Sequence, residues 1–383
     1  MACPMLDLSE AEAVREVKRI HERDRQSPVL KKCISCFACA QACPEGLNLH
    51  DLVLSLWHER RPGLAVPWQA RLFLPEQRPP NAWTAMQRYY SPVEREMHGR
   101  LLQEVRGREA LYLGCNQLLN LGLFASPLFR SLPMVGAPGV CCGEPYFRMG
   151  FMEAFRASAR RWLEHFRERA PSRLVVVCTP CLNMLKNVYP AYLQESPPFE
   201  VIGALEWLDE RLNSGELPPP EPRKMKVMIQ DSCHARVLGD DFLRRTRSLI
   251  KAAGLEIIGD ESRHSDCCGF AGAAARFNPL TMYGLAAGRL KEARKSGAEA
   301  VVTYCNGCLL MLSMAERLYP FRVEVRHLLD LLEPGPGGER TDFHRRRAGQ
   351  IMTAAFRTAV MKTAGAKPNV LDLSLDHDDE SKG

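Results

Sequence analysis

Residues 140–150, VCCGEPYFRMG, and residues 266–277, DCCGFAGAAARF, each carry two adjacent cysteines followed by glycine. The match extends outward from this pair. ALYLGC (110–115) and KVMIQDSC (226–233) are short apolar runs that close on a cysteine. RLVVVCTPCLNML (173–185) and AVVTYCNGCLLML (300–312) each join a strand-sized apolar run to C-x2-C, and FEVIGALEWL (199–208) answers FRVEVRHLLDLL (321–332). The offset is 126 residues from Cys141 to Cys267, 127 from Cys178 to Cys305 and 118 from Cys115 to Cys233, so the first copy has the shorter loop after its first cysteine. Self-similarity of this kind is one structural unit duplicated in tandem. Within each unit apolar strands alternate with helical stretches, expected at 151–169 and 281–296, which argues for a parallel sheet with βα crossovers.

The rest of the chain falls into place around the duplication. The units are expected at 108–215 and 225–333, joined by the Pro-rich stretch NSGELPPPEPRK (213–224). Residues 1–107 read as mainly helical. A helix is expected over 8–27, with Ser9 as cap and Glu12 three residues on. Pro62, Pro67, Pro75, Pro79 and Pro80 break up the helical stretch 47–107. In 334–383 a further helix places Ile351, Ala355, Phe356 and Val360 near one face, ahead of the acidic stretch DLSLDHDDESKG. Its sequence fits core packing and a docking arm for a partner equally well.

Composition narrows the class. The chain has 383 residues, 46% hydrophobic and 25% charged, so it can build a core. The formal charge of +6 is spread among acids, which suits partner docking but not nucleic acid. No run reaches the roughly 18 apolar residues that cross a bilayer. The N-terminal MACPMLDLSEAEAVREV has acids where a leader needs an apolar core, so a cytoplasmic protein is expected. In that setting 15 cysteines point to metal or redox chemistry rather than disulfides.

Each unit supplies five of them: Cys115, Cys141, Cys142, Cys178 and Cys181 in the first, Cys233, Cys267, Cys268, Cys305 and Cys308 in the second. Adjacent cysteines diverge too far to share one tetrahedral zinc but suit neighbouring irons of a multinuclear cluster. Gly143 and Gly269 then allow a tight turn near the metal. Five thiolates exceed one ligand per iron of a cubane, which hints at an opened cluster with a bridging thiolate. A thioredoxin-like dithiol at CTPC, or buried structural cysteines, would leave the vicinal pairs unexplained.

Residues 33–44, CISCFACAQACP, are C-x2-C-x2-C-x3-C-P, the bacterial ferredoxin run, which wraps one [4Fe-4S] cubane. Zinc more often takes two separated C-x2-C knuckles. Cys33, Cys36 and Cys39 are the expected ligands here. The fourth is Cys43 or Cys3, since Cys3–Pro4 is the sole other Cys-Pro; the entropy of ordering a chain end favours Cys43.

These motifs resemble the cysteine-rich CCG-domain family, found in the B-type and D-type components of heterodisulfide reductase. The likeness covers about 105–333, with the ferredoxin-type domain ahead of the units as in the fused D-type relatives. The resemblance implies two noncubane [4Fe-4S] clusters, one per five-cysteine set, facing a shared cleft in which a disulfide is reductively cleaved. It also implies partner subunits, flavin or iron–sulfur proteins. Asn116, His234 and Asn306 stand where they could tune the clusters by hydrogen bonding. The alternative is an electron conduit without its own substrate in a flavin-containing or bifurcating complex, of the class II benzoyl-CoA reductase type. Two departures stand out: the short Cys115–Cys141 spacing and the absence of a second ferredoxin run.

Overall fold

The computed structural model describes residues 3–60, 65–66, 74–76, 81–101, 104–136, 139–270, 279–319, 321–333, 340–363 and 369–370. Ten strands are described. β1 (Ala65–Val66) pairs antiparallel with β10 (Asn369–Val370). The first sheet contains β2 (Glu109–Tyr112), β3 (Met134–Val135), β4 (Arg173–Val176) and β5 (Glu200–Gly203) in the order β3-β2-β4-β5, all parallel. The second contains β6 (Met225–Gln230), β7 (Leu255–Ile257), β8 (Ala300–Thr303) and β9 (Glu324–His327) in the order β7-β6-β8-β9, again all parallel. The duplication is therefore visible as one sheet topology built twice.

Central strands of a parallel sheet are covered on both faces and read as unbroken apolar runs. Leu174, Val175 and Val176 in β4 and Ala300, Val301 and Val302 in β8 are all buried. The crossover helices Met152–Arg169 and Pro279–Lys295 fall where the sequence places them. The first buries Phe155, Trp162, Leu163 and Phe166 along one stripe, as the 3.6-residue period requires.

The N-terminal region departs from expectation in one place. Ser9 and Glu12 form the capping box, but the helix spans only Glu10–His21. Arg23 turns left-handed (φ 62°), and Arg19 Nε donates to Asp24 at 2.7 Å. A second helix, Pro28–Lys32, then starts on the Ser27 cap. Helices Leu49–Arg60, Ala82–Gln87 and Pro92–Gly99 follow. Of the prolines expected to interrupt this region, Pro62, Pro67, Pro79 and Pro80 lie outside the described residues.

The helix Arg340–Thr363 packs its first half into the core. It packs on the helix Asn306–Leu318 and on Ala82–Gln87. His344, Arg347, Ala348 and Ile351 are buried. Arg347 Nη2 reaches both carboxylate oxygens of Glu94 at 2.5 Å, and His344 Nε2 lies 2.7 Å from Asp330. The side chains of Ala355, Phe356 and Val360, and the acidic stretch, lie outside the described residues.

Candidate functional site

Parallel sheets present ligand sites at the carboxyl ends of their strands. Cys115 lies three residues beyond β2, and Cys178 two beyond β4; Cys233 and Cys305 stand likewise beyond β6 and β8. Each vicinal pair arrives on the loop between its sheet's edge strand and the crossover helix. Gly143 (φ +78°) and Gly269 (φ +83°) take the left-handed turn after the pair. A Cβ there would press on the Phe155 side chain at 3.0 Å or on Met282 O at 3.0 Å. The turn glycines are thus required by both conformation and space.

The thiols of each set converge. Cys115 Sγ and Cys141 Sγ are 3.6 Å apart, and Cys142 and Cys181 3.2 Å. In the second set Cys268 and Cys308 repeat the 3.2 Å contact. All 15 cysteines are free thiols. Among the described residues no three His, Cys, Asp or Glu side chains are arranged to hold a single metal ion. Backbone N–H groups point at sulfur, as in loops that wrap a thiolate-bound cluster: Gly269 N lies 3.3 Å from Cys267 Sγ, and Ser35 N 3.4 Å from Cys33 Sγ. Ser35 and Phe37 hold left-handed φ of 56° and 59°, which folds the N-terminal run around its thiols.

Electrostatics agree with a charge-compensating occupant. Hydrogen bonding with Cys267 and burial push Cys233 up to about 12. Burial and Cys36 push Cys39 up to about 11. Cys268 goes the other way, down to about 5, by hydrogen bonding with Cys267 and Cys308. Ten thiolates cannot ionise together in so dry a space unless cations sit among them, and bound metal supplies that charge. The residues present therefore fit iron–sulfur centres.

Nine of the ten thiols line one cavity of about 130 Å³ between the two units; Cys141 stands behind Cys115. Trp83, Leu119, Met149 and Phe270 complete its apolar wall. Trp83 is pinned by its indole N–H, which donates to Cys115 O at 2.7 Å. Gly114 lets the wall close: a Cβ there would stand 2.7 Å from Cys181 Sγ.

The N-terminal run docks on the second unit. Cys36 shares an apolar cluster with Ile34, Ala38 and Cys267. Phe37 stacks 4.8 Å from His234, and Arg236 Nη1 donates to Cys36 O. Cys3 is an electrostatic neighbour of both Cys36 and Cys39, while Cys43 follows the short helix Ala38–Gln41 and is half-buried.

Of the polar neighbours singled out in the sequence, Asn306 Nδ2 donates to Asn116 O at 2.7 Å and Asn116 lines the cavity, so both bridge the units. His234 is fully buried between Asn183 and Glu144. Sequence reasoning missed Trp83, Glu144 and Arg148. Glu144 and Arg148 stand one and five residues after Gly143 at i,i+4 spacing, the only local signal they gave.

A family model for the CCG cysteine-rich domain matches residues 128–186 and 227–313. The chain is 26% identical over 292 residues to an uncharacterised iron–sulfur protein of Methanocaldococcus jannaschii, covering 72% of this chain and 55% of that one. It is 26% identical over 323 residues to the EtfAB:quinone oxidoreductase of Syntrophomonas wolfei, covering 75% and 43%. It is 22% identical over 329 residues to the D-type component of the dihydromethanophenazine:CoB–CoM heterodisulfide reductase of Methanosarcina barkeri, covering 80% and 77%. The chain thus spans about half the length of the first two relatives. Two stretches of the chain thus match the CCG cysteine-rich domain, and the relatives it resembles include an iron–sulfur protein and the D-type component of a heterodisulfide reductase.

Proposed function

We propose that the chain is an iron–sulfur oxidoreductase subunit that carries electrons from an N-terminal cluster to paired noncubane [4Fe-4S] clusters for reduction of a disulfide. The observation that carries this reading is the single cavity on which the thiols of both five-cysteine sets converge. The ligand sets are Cys115, Cys141, Cys142, Cys178 and Cys181 in unit 108–215, and Cys233, Cys267, Cys268, Cys305 and Cys308 in unit 225–333. Cys33, Cys36 and Cys39, with Cys43 or Cys3, hold the N-terminal cubane. Bound clusters supply one-electron relays and a sulfur-accepting metal edge. The chain's own residues supply the rest. Trp83, Leu119, Met149 and Phe270 exclude water and bury an S–S bond. Cleavage consumes two electrons and two protons and yields two thiols. The electron donor is a flavin or iron–sulfur partner subunit in the cytoplasm.

Similarity to an EtfAB:quinone oxidoreductase favours a second reading, a conduit that passes electrons on without a substrate of its own. Among the described residues no helix is long and apolar enough to cross a membrane. The full chain, loaded without oxygen, should hold about 12 irons and as many sulfides, four per [4Fe-4S] centre. With a reduced viologen it should release thiols from one of a panel of small disulfides. Full iron with no thiol release, and rapid oxidation by a flavoprotein, would select the conduit; about four irons would remove both readings.

A further inference from the structure

The two units meet across an ion pair that the duplication does not repeat. Arg148 and Glu144 sit on the short helix after the first unit's vicinal pair, with side chains 3% and 9% exposed. Arg148 Nη2 donates to Cys233 Sγ of the second unit at 3.2 Å and contacts His234 Nε2, while Nε contacts Glu144. The N-terminal run closes the third side: Ser35 Oγ donates to Arg148 O at 3.2 Å, and the guanidinium lies 5.8 Å from the Phe37 ring centroid. The two charges face opposite ways. Arg148 is an electrostatic neighbour of Cys233 and Cys267, whereas Glu144 is one of Cys141. The 126-residue offset that relates Cys141 to Cys267 carries Glu144 to Phe270 and Arg148 to Ala274, so the second unit has no acid or base at the equivalent positions. The molecule holds a fixed dipole between its thiol sets, with the positive end on the second.

A cation hydrogen-bonded to a ligand sulfur stabilises the added electron of a reduced centre, and a carboxylate opposes it. We propose that Arg148 makes the two centres unequal, so that the centre at Cys233, Cys267, Cys268, Cys305 and Cys308 has the higher reduction potential and fills first. The inference rests on the reading that both sets hold clusters. It gives the docking of the N-terminal run a purpose, because Cys36 packs against Cys267 on the favoured side.

The test is a potentiometric EPR titration of the full chain, loaded anaerobically and poised with dithionite and mediators. Cys268→Ser and Cys142→Ser variants assign the signals to the second and first centres. Arg148→Gln is expected to lower the reduced-to-oxidised ratio of the second centre at least tenfold at fixed ambient potential, which is 59 mV for one electron. Glu144→Gln keeps the cation, removes the opposing charge and is expected to move the same centre the other way. Arg148→Lys keeps most of the wild-type value. Opposite signs are what a merely structural role cannot produce. A second centre that retains its iron in Arg148→Gln with an unmoved potential overturns the proposal, as does a shift of one sign in both variants. If Arg148→Gln loses that iron, the sign in Glu144→Gln decides. Failure of the cluster reading shows separately, as missing iron in the wild type before any titration.

Discussion

In the first unit, the strand leading to Cys115 runs through Tyr112 and Leu113, both fully buried. Trp162 and Phe166 pack on Tyr112 with ring centroids 5.8 and 5.3 Å away. In the second unit, the 118-residue offset puts Gln230 and Asp231 in those places. Asp231 accepts two 2.8 Å hydrogen bonds from Arg247 and one of 3.0 Å from Tyr304, and Arg289 Nε donates to Gln230 at 3.1 Å. One set of thiols is backed by aromatic rings, the other by paired charges. The thiol geometry survives this exchange because strand ends and turn glycines set it. Interior composition was therefore free to diverge, and with it the field each set experiences.

The strongest way to break the comparison is at the thiols. Cys268→Ser should remove about four of about 12 irons, one [4Fe-4S] centre. Cys142→Ser should remove the same number from the first unit. Iron and sulfide analysis with EPR checks both, and a variant that empties both units would mean that the centres do not form independently.

The next effect lies in the interiors. Asp231→Asn leaves the buried Arg247 without its anion and should cost about 3–5 kcal/mol in urea unfolding. Asp231→Leu with Arg247→Met removes the unpaired cation but strands the Tyr304 hydroxyl and Ser265 N–H, and should recover only part of that loss. A double variant as unstable as Asp231→Asn would show that the bonds from Tyr304 and Ser265, rather than the ion pair, carry the loss.

The smallest effect is a pH slope. β9 ends in buried His327 where β5 ends in Gly203. Burial holds the His327 imidazole down to about 3, whereas an unfolded histidine titrates near 6.5. The unfolded chain therefore takes the proton first. The neutral ring's contribution is complete above about pH 6.5 and is lost as pH falls from there toward 3. His327→Asn keeps an acceptor for Leu329 N, which His327 Nδ1 binds at 3.2 Å. It should flatten the thermal midpoint between pH 7 and pH 5.

The duplication, the two five-cysteine sets and the crossover helices were legible because their signals are local: spacing, apolar runs, and glycine after a vicinal pair. The helix expected over 8–27 stopped at His21 because Asp24 drew Arg19 into a turn that periodicity does not register. The Arg148–Cys233 contact joins residues 85 apart, and nothing around Arg148 distinguishes it from a solvated arginine. The 340–363 helix was readable as amphipathic, but its partners are set by tertiary packing alone.

The pairing of Glu94 with Arg347 also fixes an order of events during biosynthesis. The two residues are 253 apart, and Glu94 is 1% exposed once they meet. At roughly 5–20 residues per second on the ribosome, Glu94 waits roughly 13–50 s for its cation. Until then its carboxylate has only the backbone N–H groups of Ser91 and Gly122 as partners, at 2.9 Å each, and burying it without the cation is costly. Asn120, which bonds both Asn306 and His344, waits with it. The interface between the N-terminal helices and the 340–363 helix is thus a long-range closure that can form only after residue 347 has been made.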